Sequence, residues 1–414
     1  MNATTSEAVV VGGGVIGASI AWRLAQAGSA VTVLDSAAPG AGASGSCDKA
    51  IFLQSKRPGL PMRMAKESRS LYSTLSEELD ADIEFSPGGG MVAIESDAHM
   101  DFMQGFIAEQ RRAGIAVDLL DGDEARSLQP ALADHVLGAS YSPEDAEVNP
   151  LALNAALIDA AVRCGARVRR HCEFRTVIRR GDRVVGVETS LGRIDTGLVI
   201  NAAGPYAGIV GHRAGVATPV RPRRGTILIS EAQPPMVTGN LLCAQYVAAK
   251  HLASMPGAEQ PPYGIGLSLG QTASGTLLIG GSREFAGFDK HPPRDVLAGI
   301  AAHAARVVPS LRNVRIIRAM TGLRPYTGDG LPIIARDSRL DGWITAAGHE
   351  GDGIALAPIT GLIVRDLVTG EQSTQEYLPH LRSDRNTLLA APDPDELSQA
   401  QAPTSPPTSR KQAS

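Results

Sequence analysis

The feature that most constrains this chain is a strand, glycine turn, helix and second strand at its start. The apolar run 8–11 leads into a glycine cluster, a helical segment follows, and the apolar run 30–34 ends on Asp35. The glycines have the GxGxxG spacing, which allows a tight turn, close approach of a pyrophosphate and close helix packing. Amides at the helix start favour a phosphate, and an acid about 20 residues further on can bind a ribose. The predicted dinucleotide-binding residues are Gly12, Gly14, Ile16, Gly17 and Asp35.

A glycine turn alone is weak evidence for a dinucleotide site, because α/β proteins also use such turns structurally. Here both strands, the helix and the acid are in register, which favours a dinucleotide site. The motif does not distinguish FAD from NAD. Asp35 disfavours NADP, because its carboxylate would repel the additional phosphate.

Composition narrows the class of protein. The chain has 414 residues, enough for two domains, and a net charge of −4 without basic blocks, so nucleic acid is not an expected partner. No apolar run is long enough to span a bilayer and no signal core is seen, so a cytoplasmic location without a membrane span is predicted. Four cysteines without CxxC spacing and nine histidines without an HExxH motif indicate neither a disulfide framework nor a metal site.

The order of elements predicts two domains that are each discontinuous. A second strand followed by small residues, 201–204, and a final strand, turn and helix over 342–367 return the chain to the nucleotide domain. The region 220–323 is mostly β with one helix and predicts an antiparallel sheet over a pocket. The expected fold is α/β: a Rossmann-like nucleotide domain and an α+β substrate domain. The boundaries are 1–85, 147–220 and 325–385 for the first, 86–146 and 221–324 for the second, and 386–414 for a disordered tail rich in Pro and Ser.

Five separated segments together resemble the D-amino-acid-oxidase-like family of FAD-dependent oxidoreductases, the glycine or sarcosine oxidase type. The resemblance spans about residues 7–370, and it implies FAD as the cofactor and the nucleotide domain as an FAD-binding domain. The segments are the N-terminal βαβ unit, Ala43-Ser44-Gly45-Ser46, Asn201-Ala202-Ala203-Gly204, the Gly322-Leu323-Arg324-Pro325 stretch to Pro332, and Ala347-Gly348-His349-Glu350-Gly351-Asp352-Gly353-Ile354.

The resemblance also implies cofactor contacts beyond the glycine turn. The serine loop would wrap the phosphates and flavin, the backbone of Phe174 would hold adenine, and the junction at 201–204 would approach the dinucleotide. The turn before the last helix would direct backbone amides at the flavin. The carboxylate of Asp352 would be unfavourable there unless it caps that helix. These residues are Ala43, Ser44, Ser46, Phe174, Ala202, Gly204, Gly348, His349, Gly351, Asp352, Gly353 and Ile354.

Two residues are the candidate catalytic groups. In the family an arginine of the GLRP stretch pairs with the substrate carboxylate, which implies that role for Arg324, whose planar fork matches a carboxylate. Tyr246 would cover the substrate. The structural alternatives are that Arg324 forms an ion pair at the surface and that Tyr246 is an aromatic residue packed in the core. Hydride transfer to flavin N5 needs positioning rather than an acid–base pair. Lys250, His251 and His349 are candidate proton acceptors that could equally be structural.

Two departures from the glycine-oxidase pattern point to a subgroup. In the turn at 348–354, this chain lacks an arginine that glycine-oxidase-like members have there. After the serine loop, where those members have only small residues, this chain has Cys47-Asp48-Lys49 and then residues 50–59. This version is similar to β subunits of multi-subunit amine, proline, hydroxyproline or opine dehydrogenases. In those relatives electrons leave through partner subunits with further flavin (FMN) and an iron–sulfur cluster. Lys49 would then contact flavin or the electron acceptor, the alternative being an exposed loop lysine.

The leading hypothesis is FAD-dependent oxidation of the C–N bond of a small amino or imino acid by a catalytic β subunit of a dehydrogenase complex. D-hydroxyproline and proline-like, glycine-like or opine substrates fit it. A stand-alone oxidase that makes hydrogen peroxide is the second hypothesis, and a flavin electron-relay subunit without catalysis is the third. An NAD-dependent dehydrogenase is disfavoured by the second glycine junction.

Overall fold

The computed structural model describes residues 4–251 and 261–392, and two units within them share a hydrophobic core. The strands in chain order are β1 Thr4–Thr5, β2 Ala8–Val11, β3 Val31–Leu34, β4 Ala50–Ile51, β5 Gly90–Ile94, β6 Asp118–Asp121, β7 Gly138–Ser142, β8 Ala146–Glu147, β9 Arg167–Arg169, β10 Phe174–Arg180, β11 Arg183–Thr189, β12 Gly192–Asp195, β13 Val199–Asn201, β14 Arg221–Ala232, β15 Asn240–Cys243, β16 Ser268–Gln271, β17 Thr276–Gly280, β18 Ile316–Tyr326, β19 Ile333–Arg336 and β20 Trp343–Ala347. The α-helices are α1 Val15–Gln26, α2 Leu60–Glu78, α3 Asp97–Arg112, α4 Gly122–Leu128, α5 Pro150–Arg163, α6 Ala207–Arg213, α7 Ala244–His251, α8 Arg294–Val307 and α9 Gly353–Thr369.

The first unit is built on a six-stranded sheet in the order β19-β20-β13-β2-β3-β9. It is parallel except for the edge strand β19, which runs antiparallel to β20. Every residue of β2 and β3 is buried, as expected for a parallel sheet covered on both faces. Helix α1 packs against α5 and α9. The predicted α/β, Rossmann-like architecture is confirmed.

The second unit is an eight-stranded sheet in the order β18-β14-β17-β16-β15-β5-β7-β6. The expected antiparallel pairing is wrong for one pair, since β15 runs parallel to β5 with Asn240 opposite Gly90. These two strands belong to separate chain segments that enter the sheet in the same direction. The sheet takes strands from both segments of the predicted substrate domain. The exact domain boundaries stay a prediction.

Smaller sheets complete the nucleotide unit. A four-stranded sheet in the order β1-β12-β11-β10 places Phe174 at the first residue of β10. A two-stranded sheet pairs β4 with β8, with Ala50 opposite Glu147. This small sheet fixes the segment that follows the serine loop against the start of α5.

Helix α9 is held by side chains from α2. Pro358 lies inside α9 and has no N–H to donate to the carbonyl of Ile354. The hydroxyl of Tyr72 donates to that carbonyl at 2.6 Å, and Ser68 Oγ donates to the carbonyl of Ala355 at 2.6 Å. The backbone defect made by Pro358 is therefore satisfied by the neighbouring helix, which fixes where α9 begins.

One local expectation is wrong. The region predicted as mostly β with one helix contains a second helix, α7, because the apolar residues at its positions 244, 247 and 248 have helical spacing, so Tyr246 lies on a helix. Helix α3 is capped by Ser96, whose Oγ accepts the N–H of His99. Cys164 is exposed because it lies at the end of α5.

The predicted disordered tail, 386–414, begins in ordered structure. The N–H of Leu389 donates to the carbonyl of Thr327 at 2.9 Å, and Leu388 packs against a small buried cluster. Residues 393–414 lie outside the described residues. No helix in the described ranges combines the length and apolar character needed to cross a membrane.

Candidate active site

A cavity of about 730 Å³ lies between the two units, above the first helix turn and the last strand ends of the six-stranded sheet. Asp35 and Phe174 line one end, and Tyr246 and Arg324 line the cavity where the eight-stranded sheet covers it. The structure therefore brings residues from distant chain segments to one site. The predicted residues that line it are Gly12, Gly14, Ile16, Asp35, Ala43, Ser44, Ser46, Phe174, Ala202, Gly204, Tyr246, Arg324, His349, Gly351, Gly353 and Ile354.

The glycine turn has the geometry that its spacing requires. Gly12 has a positive φ of 108°, and a Cβ on Gly17 would lie 1.9 Å from the Gly12 carbonyl oxygen. Gly17 therefore does not line the cavity but permits close packing of α1 on β2. The carboxylate of Asp35 accepts the Gly13 N–H at 2.8 Å through Oδ2 and the Ala37 N–H at 2.8 Å through Oδ1. These bonds orient Asp35 at the cavity wall.

The serine loop is tied to the same turn. Ser44 Oγ accepts the N–H of Val15, the first residue of α1, at 3.0 Å. Gly322 of β18 packs so closely on the loop that a Cβ there would lie 2.9 Å from Ser46 Cβ. Small residues on both sides thus bring the loop, the nucleotide unit and the second sheet together.

At the far end, Arg213 organises the strand that carries Phe174. Its Nη1 donates to the Phe174 carbonyl at 2.7 Å and forms an ion pair with Glu173, also at 2.7 Å. Arg213 itself lines the cavity, although the sequence analysis did not select it.

The turn before α9 lies at the other end of the cavity. Gly348 and Glu350 both have positive φ, 91° and 48°, and the left-handed conformation of Glu350 is strained for a residue with a Cβ. Gly348 does not line the cavity; its neighbours in the turn do. The turn aims the first residues of α9 into the cavity, where backbone amides and the helix dipole favour negative charge.

The side chain of Asp352 does not cap α9, so the condition under which the sequence analysis accepted a carboxylate here is not met, and Asp352 does not line the cavity. Its carboxylate lies 2.8 Å from Lys56 Nζ and 2.9 Å from Lys250 Nζ. Burial opposes ionisation of Asp352, but the two ammonium groups outweigh burial and lower its pKa. Burial also lowers the pKa of Lys56. Two lysines therefore compensate the carboxylate that seemed misplaced next to a flavin.

Arg324 projects from β18 and lies across β14. Its Nη1 donates to the Ser282 carbonyl at 2.9 Å, and a Cβ on Gly225 would lie 2.1 Å from that nitrogen. Gly225 thus provides the space in which the guanidinium lies. The side chain is half-buried and lines the cavity, and within the described ranges it makes no ion pair. This placement disfavours the surface ion-pair alternative.

Three charged residues beside Arg324 were missed from the sequence. Arg223 lies opposite Arg324 in the β14–β18 pair, and its Nη1 is 3.6 Å from Glu350 Oε1. The guanidinium of Arg283 stacks on the ring of Tyr246 at 4.0 Å. Arginines at 221, 223, 224 and 283 within an otherwise apolar β region were the available signal, since isolated charges in buried strands need a partner.

Lys49 is not at the cavity, and its prediction as a cofactor ligand is not supported by its position. Its Nζ is 3.0 Å from Glu147 Oε1 and donates to the Gln271 carbonyl at 2.7 Å. The short pairing of β4 with β8 turns the lysine towards a separate, more open cavity. Cys47 and Asp48, its neighbours in the chain, line the large cavity instead.

The two histidines considered as proton acceptors are buried and neutral. Burial lowers the pKa of His349 and of His251 to about 3. His349 Nε2 bonds to the hydroxyl of Thr360, and Arg57 donates to Nδ1 of His251. Both rings are held by structural hydrogen bonds, and Lys250 is paired with Asp352.

With the cavity defined, comparisons with known proteins identify the family. The model of the DAO family, described as FAD dependent oxidoreductase, matches residues 7–367. The chain belongs to this family.

Relatives cover nearly the whole chain. Hydrogen cyanide synthase subunit HcnC from Pseudomonas aeruginosa is 29% identical over 420 residues, covering 91% of this chain and 95% of the relative. Glycine oxidase from Geobacillus kaustophilus is 29% identical over 384 residues, covering 90% and 95%. Its crystal structure has a TM-score of 0.83 at 27% identity, with 92% and 99% covered. L-proline dehydrogenase from P. horikoshii has a TM-score of 0.82 at 26% identity, with 92% and 98% covered.

These matches confirm the family, the fold class and the enzyme class, an FAD-dependent oxidoreductase, and FAD is the cofactor. The cavity fits an elongated dinucleotide with a flavin. The glycine turn leaves room for a pyrophosphate, Asp35 lies beside it as an acceptor for a ribose, and the turn before α9 offers amides at the opposite end.

Proposed function

We propose that this protein oxidises the C–N bond of a small amino or imino acid, with Arg324 binding the substrate carboxylate. The observation that carries the proposal is the half-buried guanidinium of Arg324, which lines the cavity without an ion-pair partner in the described ranges. A buried arginine is costly without an anion, and its fork matches a carboxylate through two hydrogen bonds. The names of the relatives, glycine oxidase and L-proline dehydrogenase, support an amino-acid substrate.

Bound FAD supplies the two-electron oxidation, and the protein supplies position and electrostatics. Arg324 would fix the carboxylate, and Tyr246, on α7, would cover the substrate from the side of the second sheet. Glu350 lines this end of the cavity, and Arg283, Arg223 and Lys250 lie near enough behind it to lower its pKa. Positive charge disfavours an ammonium ion, so these groups favour the free amine, which is the form that is oxidised.

The cofactor contacts follow the cavity lining. We assign the pyrophosphate to the glycine turn, the adenosine ribose to Asp35 and the adenine to the strand of Phe174. Residues 43–46 and 202–204 would lie along the dinucleotide, and the amides at the start of α9 would stabilise negative charge on the flavin. In this assignment Gly17, Gly348 and Asp352 shape the site without touching the cavity.

We further propose that the chain works as the catalytic subunit of an electron-transferring dehydrogenase in the cytoplasm. Support comes from the relative named as a subunit of hydrogen cyanide synthase and from the similarity of 47–59 to dehydrogenase β subunits. Partner subunits would carry any FMN or iron–sulfur cluster. A stand-alone oxidase is the second candidate, supported by the relatives named glycine oxidase.

The test is anaerobic reduction of the FAD-loaded protein by glycine, N-methylglycine, D- and L-proline, hydroxyprolines and opines. Bleaching of the flavin absorbance by at least one of these supports amine oxidation, and no bleaching by any supports the relay hypothesis instead. Admission of air to the reduced protein separates the remaining candidates. Rapid reoxidation with stoichiometric hydrogen peroxide indicates an oxidase, and slow reoxidation that an artificial electron acceptor accelerates indicates a dehydrogenase subunit.

A further inference from the structure

The substrate end of the cavity contains a carboxylate as well as the guanidinium of Arg324. Glu350, in the turn before α9, lines the same cavity as Arg324 and Tyr246 and is only 9% exposed. A Cβ on the next residue, Gly351, would lie 3.7 Å from Arg324 Nε, so the turn packs against the arginine side chain. This end of the cavity therefore offers a cation and an anion side by side.

One oxygen of Glu350 has no hydrogen-bond donor. Oε2 accepts the N–H of Gly351 at 2.5 Å, whereas Oε1 accepts no hydrogen bond within the described ranges. Arg223 Nη1 is 3.6 Å from Oε1, which is too long for a hydrogen bond. The other carboxylates of the described chain that line the cavity accept hydrogen bonds from protein groups: Asp35, Asp48 and Glu173. A buried oxygen without a donor is costly, so Oε1 is arranged for an N–H or O–H group of a ligand.

Backbone conformation and charge both hold Glu350 in this state. Its φ of 48° is unfavourable for a residue with a Cβ, and such strain is found most often at functional sites. Burial opposes ionisation of Glu350, but Arg283, Arg324 and Arg223 outweigh burial and lower its pKa. Glu350 is therefore a carboxylate that only accepts hydrogen bonds, and the lowered pKa makes it a weak base. Its chemistry suits binding of a donor rather than removal of a proton.

We propose that Oε1 of Glu350 accepts an N–H hydrogen bond from the substrate amine while Arg324 binds the substrate carboxylate. This inference rests on the proposed function, because it names a second contact in that same site. During oxidation the C–H bond breaks, its hydride passes to FAD, and the nitrogen lone pair forms the C=N bond. Positive charge then develops on nitrogen, where the carboxylate of Glu350 stabilises it. The hydrogen bond uses an N–H of the amine and leaves the lone pair free.

Binding of two matched ring acids tests the contact without any oxidation. Pyrrole-2-carboxylate and furan-2-carboxylate have the same shape and the same carboxylate, but the first compound has a ring N–H where the second has an oxygen. We expect calorimetry on the FAD-loaded full chain to show at least about tenfold tighter binding of pyrrole-2-carboxylate, the effect of a hydrogen bond to a charged group. Equal affinities in the wild-type protein would overturn the inference.

Substitution assigns the preference to Glu350. Glu350→Met should abolish the preference for pyrrole-2-carboxylate, and Glu350→Gln, whose amide oxygen can still accept the N–H, should retain more of it. Glu109→Gln, at an exposed position on α3, is the control and should keep the full preference. Circular dichroism and flavin content verify folding. A preference that survives in folded Glu350→Met would contradict the assignment. Weaker FAD binding in that variant with an unchanged preference would assign the donor to the N3–H of the flavin and also overturn the inference.

Anaerobic flavin reduction separates this inference from the proposed function. The limiting rate of reduction by the best amine should fall at least about tenfold in Glu350→Met, because positive charge on nitrogen grows in the transition state, and should be unchanged in Glu109→Gln. Reduction by an amine together with equal affinities for the two ring acids leaves amine oxidation standing and removes the Glu350 contact. A preference that depends on Glu350, without reduction by any amine, removes the proposed function and leaves a carboxylate that binds N–H donors.

Discussion

At the scale of single residues, the site depends on glycines that make room for charged groups. Gly225 lies beneath the Arg324 guanidinium, where an added Cβ would come within 2.6 Å of Nη2 as well as Nη1 and Cζ. The GLRP resemblance could single out Arg324. It could not single out Gly225, because the need for glycine arises only when β14 and β18 pair.

We predict that Gly225→Ala displaces the Arg324 side chain and weakens substrate binding. The colliding atoms belong to the end of a flexible side chain, so the protein should fold and retain FAD. The apparent dissociation constant for substrate in anaerobic flavin reduction should rise about tenfold or more, in keeping with loss of a charged hydrogen bond. Gly105→Ala, where a Cβ has nothing within 4 Å, is the control. Unchanged substrate affinity in the Gly225 variant would show that the space is not needed.

A different outcome is predicted for Gly17→Ala. Here the Cβ would meet a backbone atom, the Gly12 carbonyl oxygen, so α1 must move away from the turn. FAD content of the purified protein should fall strongly, and the melting temperature should fall with it. Full FAD occupancy in this variant, measured from the flavin-to-protein absorbance ratio against Gly105→Ala, would argue against the glycine turn as the pyrophosphate site.

The charged groups around the substrate show where residue-level prediction stopped. Arg324 was selected because it lies in the GLRP stretch. Arg223 and Arg283 lie in no motif, and Glu350 lies in the 347–354 segment but was assigned no role. The positions of these residues depend on the pairing of β14 with β18, on the segment after β17 and on the turn before α9. The sequence analysis noted that the carboxylate of Asp352 would be unfavourable next to a flavin. The ammonium group of Lys56, which compensates that charge, lies almost 300 residues away in the chain.

At the scale of elements, α9 and α2 determine where the flavin end of the cavity forms. The missing N–H of Pro358 frees the Ile354 carbonyl, and Tyr72 supplies the replacement donor from a fully buried position. The final helix was predicted from the sequence. The compensation between α9 and α2 was not, because it depends on two helices that meet only in the folded chain.

We predict that Tyr72→Phe destabilises the protein by about 1–3 kcal/mol, the cost of leaving a buried carbonyl without a donor. The free energy of unfolding from urea denaturation measures this effect. Tyr263→Phe, at a position that is 43% exposed, should change it by less than about 0.5 kcal/mol. If the two variants are equally stable, the hydroxyl of Tyr72 does not support α9.

At the scale of the whole molecule, a partly buried ion cluster holds α8 against the eight-stranded sheet. Glu95, just after β5, lies 3.2 Å from His303 Nε2 and 2.8 Å from Arg306 Nε. Burial opposes ionisation of Glu95, but hydrogen bonds from His303, Arg306 and His135 lower its pKa to about 2. Burial likewise disfavours the charged form of His303, but hydrogen bonds to Cys243 and Glu95 raise its pKa to about 9.

These shifts predict how stability depends on pH. The raised pKa of His303 contributes stability that is complete below its ordinary value of 6.5 and is lost as the pH rises through about 9. The lowered pKa of Glu95 contributes stability that is complete above 4.5 and is lost as the pH falls through about 2. The contribution is therefore greatest between 4.5 and 6.5.

Glu95→Gln should cost about 3 kcal/mol near pH 5.5, since it leaves the buried His303 without its carboxylate, and less at pH 9.5, where that histidine is neutral. Urea denaturation at the two pH values measures the difference. Glu231→Gln, a partly exposed control, should show little cost at either. A cost for Glu95→Gln that is the same at both pH values would exclude His303 as the titrating partner.

The whole-molecule architecture was the most predictable level, because alternating strands, helices and glycine junctions follow from periodicity along the chain. The α/β class and the return of distant segments to the first sheet were predicted correctly. The parallel pairing of β15 with β5 was missed because it depends on how two sheet segments meet, and helix α7 was missed although its apolar residues have helical spacing. The cavity lies where these sheet segments meet. Its cofactor end was therefore easier to predict than its substrate end.

The central claim is that Arg324 binds the carboxylate of an amine that reduces the flavin. Stopped-flow anaerobic reduction of wild-type protein, Arg324→Ala and the exposed control Arg318→Ala, each with the best amine substrate, tests it most directly. We predict that the apparent dissociation constant rises at least about 100-fold in Arg324→Ala, as for a lost charge-assisted bidentate pair, and is unchanged in the control. Reduction of the Arg324→Ala flavin with wild-type affinity and rate would contradict the account.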